Sequence, residues 1–181
     1  MSRRPGHAVV GARVESAEVR YAIDAVITVD AEDVAQLKRE AQRNPRRRVR
    51  LCAHGGIDDS LHEMLIVHTN NTYVRPHRHL GKSESFHVIE GDVDVVLFDD
   101  EGGVREVIRM GPFASGRPFF YRIAQPLFHT LLIRSEVLVF HETTGGPFRR
   151  ADTEFASWAP DDTDAPAVGR FLADLAERVT K

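Results

Sequence analysis

The sequence has little cysteine: Cys52 stands alone, so no internal disulfide can form, and a single thiol fits a reducing, cytoplasmic setting. Long apolar runs are missing as well, and none approaches the roughly 18–20 residues of a membrane-spanning helix. The first ten residues hold Arg3 and Arg4 but no hydrophobic secretory core. Charge of one sign is not in excess either. Lys and Arg total 24 against 27 Asp and Glu, a formal net charge of −3, which implies no general affinity for nucleic acid or an anionic membrane. No glycine-rich phosphate loop follows a strand pattern, so nothing points to a nucleotide cofactor. What is left is ordinary globular usage over 181 residues, 42% apolar and 28% charged, at the size of one domain.

Histidine, by contrast, is concentrated. Of nine histidines, eight fall between His54 and His141. Imidazole is the commonest transition-metal ligand, so the cluster directs attention to ligand spacing.

Periodicity supplies the frame. Residues 8–29 read as extended, with Val19, Tyr21 and Ile23 alternating with Arg20 and Ala22. Asp30 is placed to cap a helix over about 31–43, in which Val34, Leu37 and Ala41 form the apolar face and Asn44-Pro45 the stop. From Val49 to about Glu142 the pattern becomes short strands: Met64 to Val67, Phe86 to Ile89, Val93 to Phe98, Val104 to Met110, Phe119 to Ile123, Leu131 to Ile133 and Val137 to Phe140. Turn signals such as Asn70-Asn71, Gly91-Asp92 and Gly111-Pro112 separate them. Many short strands at near-regular spacing predict a β-sandwich or barrel. Residues 143–163 read as loop, and a last helix begins near Pro166 with Val168, Phe171, Leu172, Leu175 and Val179 on one stripe.

The informative segment runs from Tyr73 to Glu84. If 73–79 is a strand, Tyr73, Arg75, His77 and His79 share a face. Two imidazoles at i and i+2 on an inward face can grip one ion. Glu84 opens the next strand after a short turn, so its carboxylate can return to the same place, while His87 faces away. His129, just after Pro126 at a strand entrance, is the natural fourth ligand.

Those residues carry a resemblance. His77-x-His79, four residues, Glu84, six residues and Gly91 are similar to the first motif of the cupin superfamily, with Asn71 where the motif opens on Gly. The second motif, Ile123-Ala-Gln-Pro126-Leu-Phe-His129-Thr130, keeps the histidine but has Ala124, Pro126 and Ile133 where Pro, Gly and Asn are usual. Pro126 cannot take the positive φ open to glycine, so the turn before His129 differs in shape. Over roughly 31–162 the chain also resembles the WbuC-type cupin-fold metalloproteins, small bacterial proteins often associated with surface-polysaccharide loci. Arg46 to Arg50, His54, Asp58-Asp59, Tyr73 to His79, Phe98 to Gly102, Gly146 to Phe148 and Trp158 to Pro160 carry that likeness. The resemblance implies a mainly β, cupin-type antiparallel jelly-roll barrel over 49–148. An N-terminal extended segment and helix (1–48) would pack on it, with a C-terminal loop and helix (149–181), as one structural domain.

Other residues keep two readings. Arg75 either holds an anionic group in the cavity or pairs with a core acid. Tyr73 and Tyr121 either donate hydrogen bonds to a substrate or pack. Lys82 sits near the metal or is a solvated loop lysine. His54 reaches the cavity mouth or caps a turn, and one of His141 and Glu142 must face inward. His62, His68 and His87 read as surface or structural, Cys52 as core, and the Arg46–Arg50 run as a solvated helix-terminal cluster.

Three nitrogens and one carboxylate suit one divalent ion per chain: Fe, Mn, Ni, Zn or Co. The leading expectation is a Lewis-acid isomerase or epimerase for a small carbohydrate-like or organic-acid substrate, with Glu84, Tyr121, His54 and His141 as proton carriers and Arg75, Tyr73 and Lys82 as substrate contacts. Iron-dependent dioxygenation and non-catalytic, metal-dependent binding of a small ligand are the alternatives. A homodimer is expected, with no nucleic-acid or membrane partner.

Overall fold

The computed structural model describes residues 11–70 and 72–180. Asn71, where the first motif opens, and residues 8–10 of the expected extended segment lie outside them. Two short strands come first, β1 (Ala12–Val14) and β2 (Val19–Ala22). Asp30 then caps α1 (Ala31–Arg43): its carboxylate accepts from the Glu32 and Asp33 amides, and the Asp33 carboxylate accepts from the Asp30 amide. The strands that follow are β3 (Arg48–Cys52), β4 (Leu61–Thr69), β5 (His77–His79), β6 (Glu84–Glu90), β7 (Val93–Phe98) and β8 (Val104–Met110). After them come β9 (Phe120–Ile123), β10 (Phe128–Ile133), β11 (Val137–Gly145), β12 (Thr153–Phe155) and the closing helix α2 (Ala165–Arg178).

Among the described residues the strands form two facing sheets, a seven-stranded one in the order β1-β2-β3-β4-β11-β6-β9 and a five-stranded one in the order β12-β5-β10-β7-β8. Every pairing is antiparallel except β2 with β3. Between the sheets lie Met64, Ile66, Phe86, Val88 and Phe140 from one side and Val93, Val95, Leu97 and Leu131 from the other. α1 covers the back of the larger sheet, setting Val34, Leu37 and Ala41 on Val49, Leu51, Val67 and Val139. α2 covers the back of the smaller one, where Leu175 and Val179 meet Val96, Phe98, Phe128 and Leu132. That second layer explains why all six residues of β7 are buried, five of them apolar and the sixth, Asp94, paired with Arg134 at 2.8 Å.

Gly91 makes the tight β6–β7 turn at φ 88°, and a Cβ there would lie 2.2 Å from the Val137 carbonyl oxygen. No helix among the described residues is long and apolar enough to cross a membrane.

Two expectations need correction. The strand foreseen over 73–79 begins only at His77, because Pro76 has no N–H to give a ladder. The foreseen loop over 143–163 instead continues β11 to Gly145 and later supplies β12. Three residues are too few to show a periodicity.

Candidate metal centre

β5 is held on both sides. His77 is in register with His129 of β10, and Phe155 and Thr153 of β12 stand opposite His77 and His79. Residues directly opposite in a ladder share a face, so the imidazoles of His77 and His129 come together with centroids 4.5 Å apart, and His79 lies 5.0 Å from His77. Glu84 approaches from the other sheet as the first residue of β6, in an inner row that runs His62, Thr144, Glu84, Ile123 across β4, β11, β6 and β9. One donor atom from each of His77, His79, Glu84 and His129 lies within 4.8 Å of the others.

The outer hydrogen bonds aim these donors. His77 Nδ1 lies 2.8 Å from the Arg75 carbonyl, and His129 Nδ1 lies 3.0 Å from the Leu127 carbonyl. A carbonyl only accepts, so each Nδ1 carries the proton and each Nε2 turns a lone pair inward. His79 Nδ1 faces Thr153 Oγ1 at 3.4 Å, and its Nε2 lies 3.0 Å from Glu84 Oε2. The Tyr121 hydroxyl donates to Glu84 Oε1 at 3.0 Å, and His129 Nε2 lies 3.7 Å from that oxygen.

Burial pushes His77 down to about 3, with the neighbouring His129 adding to the effect. Burial alone would raise the Glu84 carboxyl, but the hydrogen bond from His79 and the electrostatic influence of the neighbouring His129, His77 and His79 rings outweigh it and hold the group down at about 2. Tyr121 stays far above the ordinary phenol range through burial first and the Glu84 charge second. Neutral imidazoles and an ionised carboxylate are the protonation states that ligate. Two buried Nε2 lone pairs turned toward a third imidazole and a carboxylate, inside a hydrophobic barrel, fit a divalent transition ion with an N₃O donor set.

The remaining sequence-derived candidates are dispersed. Tyr73 donates to the Pro160 carbonyl at 2.9 Å and meets Phe171 of α2, so it points at the closing helix; burial lifts it to about 12. Arg75 pairs with Asp161 at 2.7 Å and lies over the Phe155 ring, leaving its buried Nε without a partner. Both depart from the single face foreseen with His77, because the strand starts after them. Lys82 donates to the Pro147 carbonyl at 2.5 Å and pairs with Asp152 at 2.9 Å, a clasp between two loops.

His54 stacks on His62 with centroids 4.1 Å apart and keeps its Nδ1 against the Glu63 backbone, outside the cluster; burial lowers its pKa. His141 faces outward. It lines a crevice of about 270 Å³ with Ile27, Val29, Leu65 and Ile89 on the back of the larger sheet, so its expected place at the cluster does not hold. Glu142 takes the inward position, in register with the core residues Met64 and Phe86. Burial raises it well above the carboxylate range, the Glu84 charge adds to this and the Arg50 charge opposes it. Reading the alternation Leu138, Phe140, Glu142 through to the strand's true end would have found it. Thr153 and Phe155, behind the histidines, had no such signal.

Residues 29–110 match a family described as Domain of unknown function (DUF6016). No protein of curated function matches the sequence. Among solved structures, the fold is similar to a variant of the salicylate 1,2-dioxygenase from Pseudoaminobacter salicylatoxidans in complex with gentisate, at TM-score 0.52 and 13% identity over 71% of this chain and 37% of that one. A Shewanella oneidensis protein aligns at TM-score 0.46 and 11% identity, over 54% of this chain and 63% of that one. Lactobacillus farciminis oxalate decarboxylase in its formate complex aligns at TM-score 0.42 and 14% identity, over 54% and 27%. The chain thus spans less than two thirds of the length of each. The dioxygenase likeness establishes the fold, a cupin-type two-sheet barrel.

Proposed function

We propose, with the cupin fold and its four-donor cluster as the premise, that this chain is a metalloprotein of the WbuC-like kind. It would hold one divalent transition ion on His77, His79, Glu84 and His129 and act on a small, oxygen-rich substrate as an isomerase or epimerase. The observation that carries this reading is the convergence of the four donors within 4.8 Å, with two of the imidazoles locked by carbonyl hydrogen bonds in the ligating tautomer. When bound, such an ion polarises a substrate carbonyl or hydroxyl oxygen.

The chain's own residues supply the rest. Tyr121 holds Glu84 in place through its hydroxyl. Glu142, inward and one row deeper, is the protonated carboxyl closest in the ladder to Glu84, and so the candidate proton carrier. Buried aromatic walls from Phe86 and Phe140 keep the site dry on its inner side. We also propose a cytoplasmic homodimer. The lone buried Cys52 supports the compartment, and the edge strand β1 with exposed Val14, Ile23 and Val26 supports the pairing.

The test is elemental analysis of protein purified without a metal-affinity tag, beside His77→Ala/His79→Ala. About one ion per chain, lost in the variant, is expected. Turnover of a sugar-acid panel without oxygen supports isomerisation; iron with O₂ uptake points to the dioxygenase alternative, and a ligand retained unchanged points to a binding module. No metal in either protein after reconstitution overturns the reading.

A further inference from the structure

Two of the three histidines in the cluster are aimed by their own strands, and the third is not. His77 and His129 hold their Nδ1 against carbonyls two residues upstream, those of Arg75 and Leu127. His79 has only the Thr153 hydroxyl at 3.4 Å, 74 residues further along the chain. The hold on His79 therefore depends on how the segment before Thr153 is fastened. That segment, 146–152, runs from β11 to β12 beside the turn 80–83, which joins His79 to Glu84. The Leu80 amide donates to the Asp152 carbonyl at 2.7 Å, and the Thr144 hydroxyl donates to the Ser83 carbonyl at 3.0 Å. Lys82 lies between them with 15% of its side chain exposed, pairs with Asp152 at 2.9 Å and donates to the Pro147 carbonyl at 2.5 Å. One ammonium thus grips both ends of the segment. Arg78 fastens β12 separately, through Glu154 and from the face opposite His79.

We infer that Lys82 is a positioning residue of the metal centre: its ammonium latches segment 146–152 onto the turn between two donors and so keeps Thr153 against His79. The pair is largely withdrawn from solvent, so loss of the ammonium leaves the Asp152 carboxylate and the Pro147 carbonyl without their donor. The segment then lifts, Thr153 moves off with it, and the His79 ring is free to turn its Nε2 away from Glu84. An ion held by four aimed donors would be left with three. Latch and ion favour one another, since a contact that tightens the ion is tightened by it to the same degree. The latch itself stands apart from the proposed function; its effect on an ion rests on that reading.

The segment carries its own reporter, because Arg149 and Arg150 are exposed and trypsin cuts an arginine bond only where the backbone can lift. The experiment measures tryptic cleavage at these two bonds in the metal-stripped full chain, and zinc affinity by competition with a chelating dye. In Lys82→Met, cleavage quickens at least about fivefold and zinc affinity falls at least about tenfold. The urea midpoint of the metal-free chain moves little. Lys82→Arg recovers most of both losses, and Lys82→Met/Asp152→Asn is no worse than Lys82→Met alone. Zinc slows the cleavage of the wild type. Lys38→Met, which breaks a surface pair with Glu90, changes neither quantity. Cleavage at the wild-type rate in Lys82→Met overturns the latch, and faster cleavage with unchanged zinc affinity overturns its hold on the centre. Failure of the metal reading would register as no zinc bound by the wild type, and the cleavage rates would still decide the latch.

Discussion

His68 tests the electrostatic reasoning because it stands apart from the metal cluster. It lies in β4 with 7% of its surface exposed, edge-on to Phe140, and its Nδ1 has no partner. Burial, with the charges of Arg48 and Arg50 adding to it, pushes its pKa from the ordinary 6.5 down to about 3. The sign follows from linkage. Between those values the unfolded chain binds a proton that the folded chain refuses, so stability is full above about pH 6.5 and is lost as pH falls toward 3. At about pH 5 the unfolded state has gained RT ln(1 + 10^1.5), or roughly 2 kcal/mol, from this one group. His68→Leu removes the titration while keeping the volume. Urea unfolding of the metal-stripped protein at about pH 7.5 and about pH 5 gives the free energies of both chains. The difference between variant and wild type should grow by about 2 kcal/mol on acidification. Parallel pH dependences would refute the assignment of a buried, neutral, uncompensated imidazole.

Three further outcomes are expected. Thr153→Val removes the hydroxyl facing His79 Nδ1 and should weaken metal affinity roughly tenfold in a competition titration, with little change in the stability of the metal-free chain. Metal at about 100 times its Kd should stabilise the wild type by about 2.7 kcal/mol, a rise of roughly 5–10 °C in Tm by calorimetry, and His129→Ala should abolish the rise. Gly91→Ala places a Cβ against the Val137 carbonyl at positive φ and should lower unfolding free energy by about 2 kcal/mol or more in denaturant titrations.

What could be read from residues alone followed from strong local signals. Asp30, Asp33 and the Val34–Leu37–Ala41 face fix α1 at the span foreseen, and Val93–Phe98 and Val104–Met110 have the boundaries their turn residues suggest. His77, His79 and Glu84 were legible because two lie i and i+2 on one short strand and the third follows one tight turn later. His129 is the second residue of β10, at the strand entrance expected for it, with Phe128 and Thr130 extending the strand ahead of Leu131–Ile133. Tertiary pairings were invisible. Nothing local to Thr153 or Phe155 reveals that they complete the ladder behind the histidines. Arg50 reads as part of a basic run until its register with Ile66 places it on the sheet face opposite Val49 and Leu51. Glu142 and His141 differ only in parity, which the length of β11 decides.

The flanking of β5 by β10 and β12 also sets an order of events during synthesis. Three of the four donors are translated by residue 84, but the strand bearing two of them has no ladder partner until His129 and then Phe155 have been made. A nascent chain therefore presents histidines without a cage through most of its elongation, and the ion proposed for this site would be captured only once β10 and β12 have been made. A ribosome stall or a proteolytic cut ahead of β12 would yield a product with three of its four donors or all of them, but with the ion-gripping strand paired on one side or on neither.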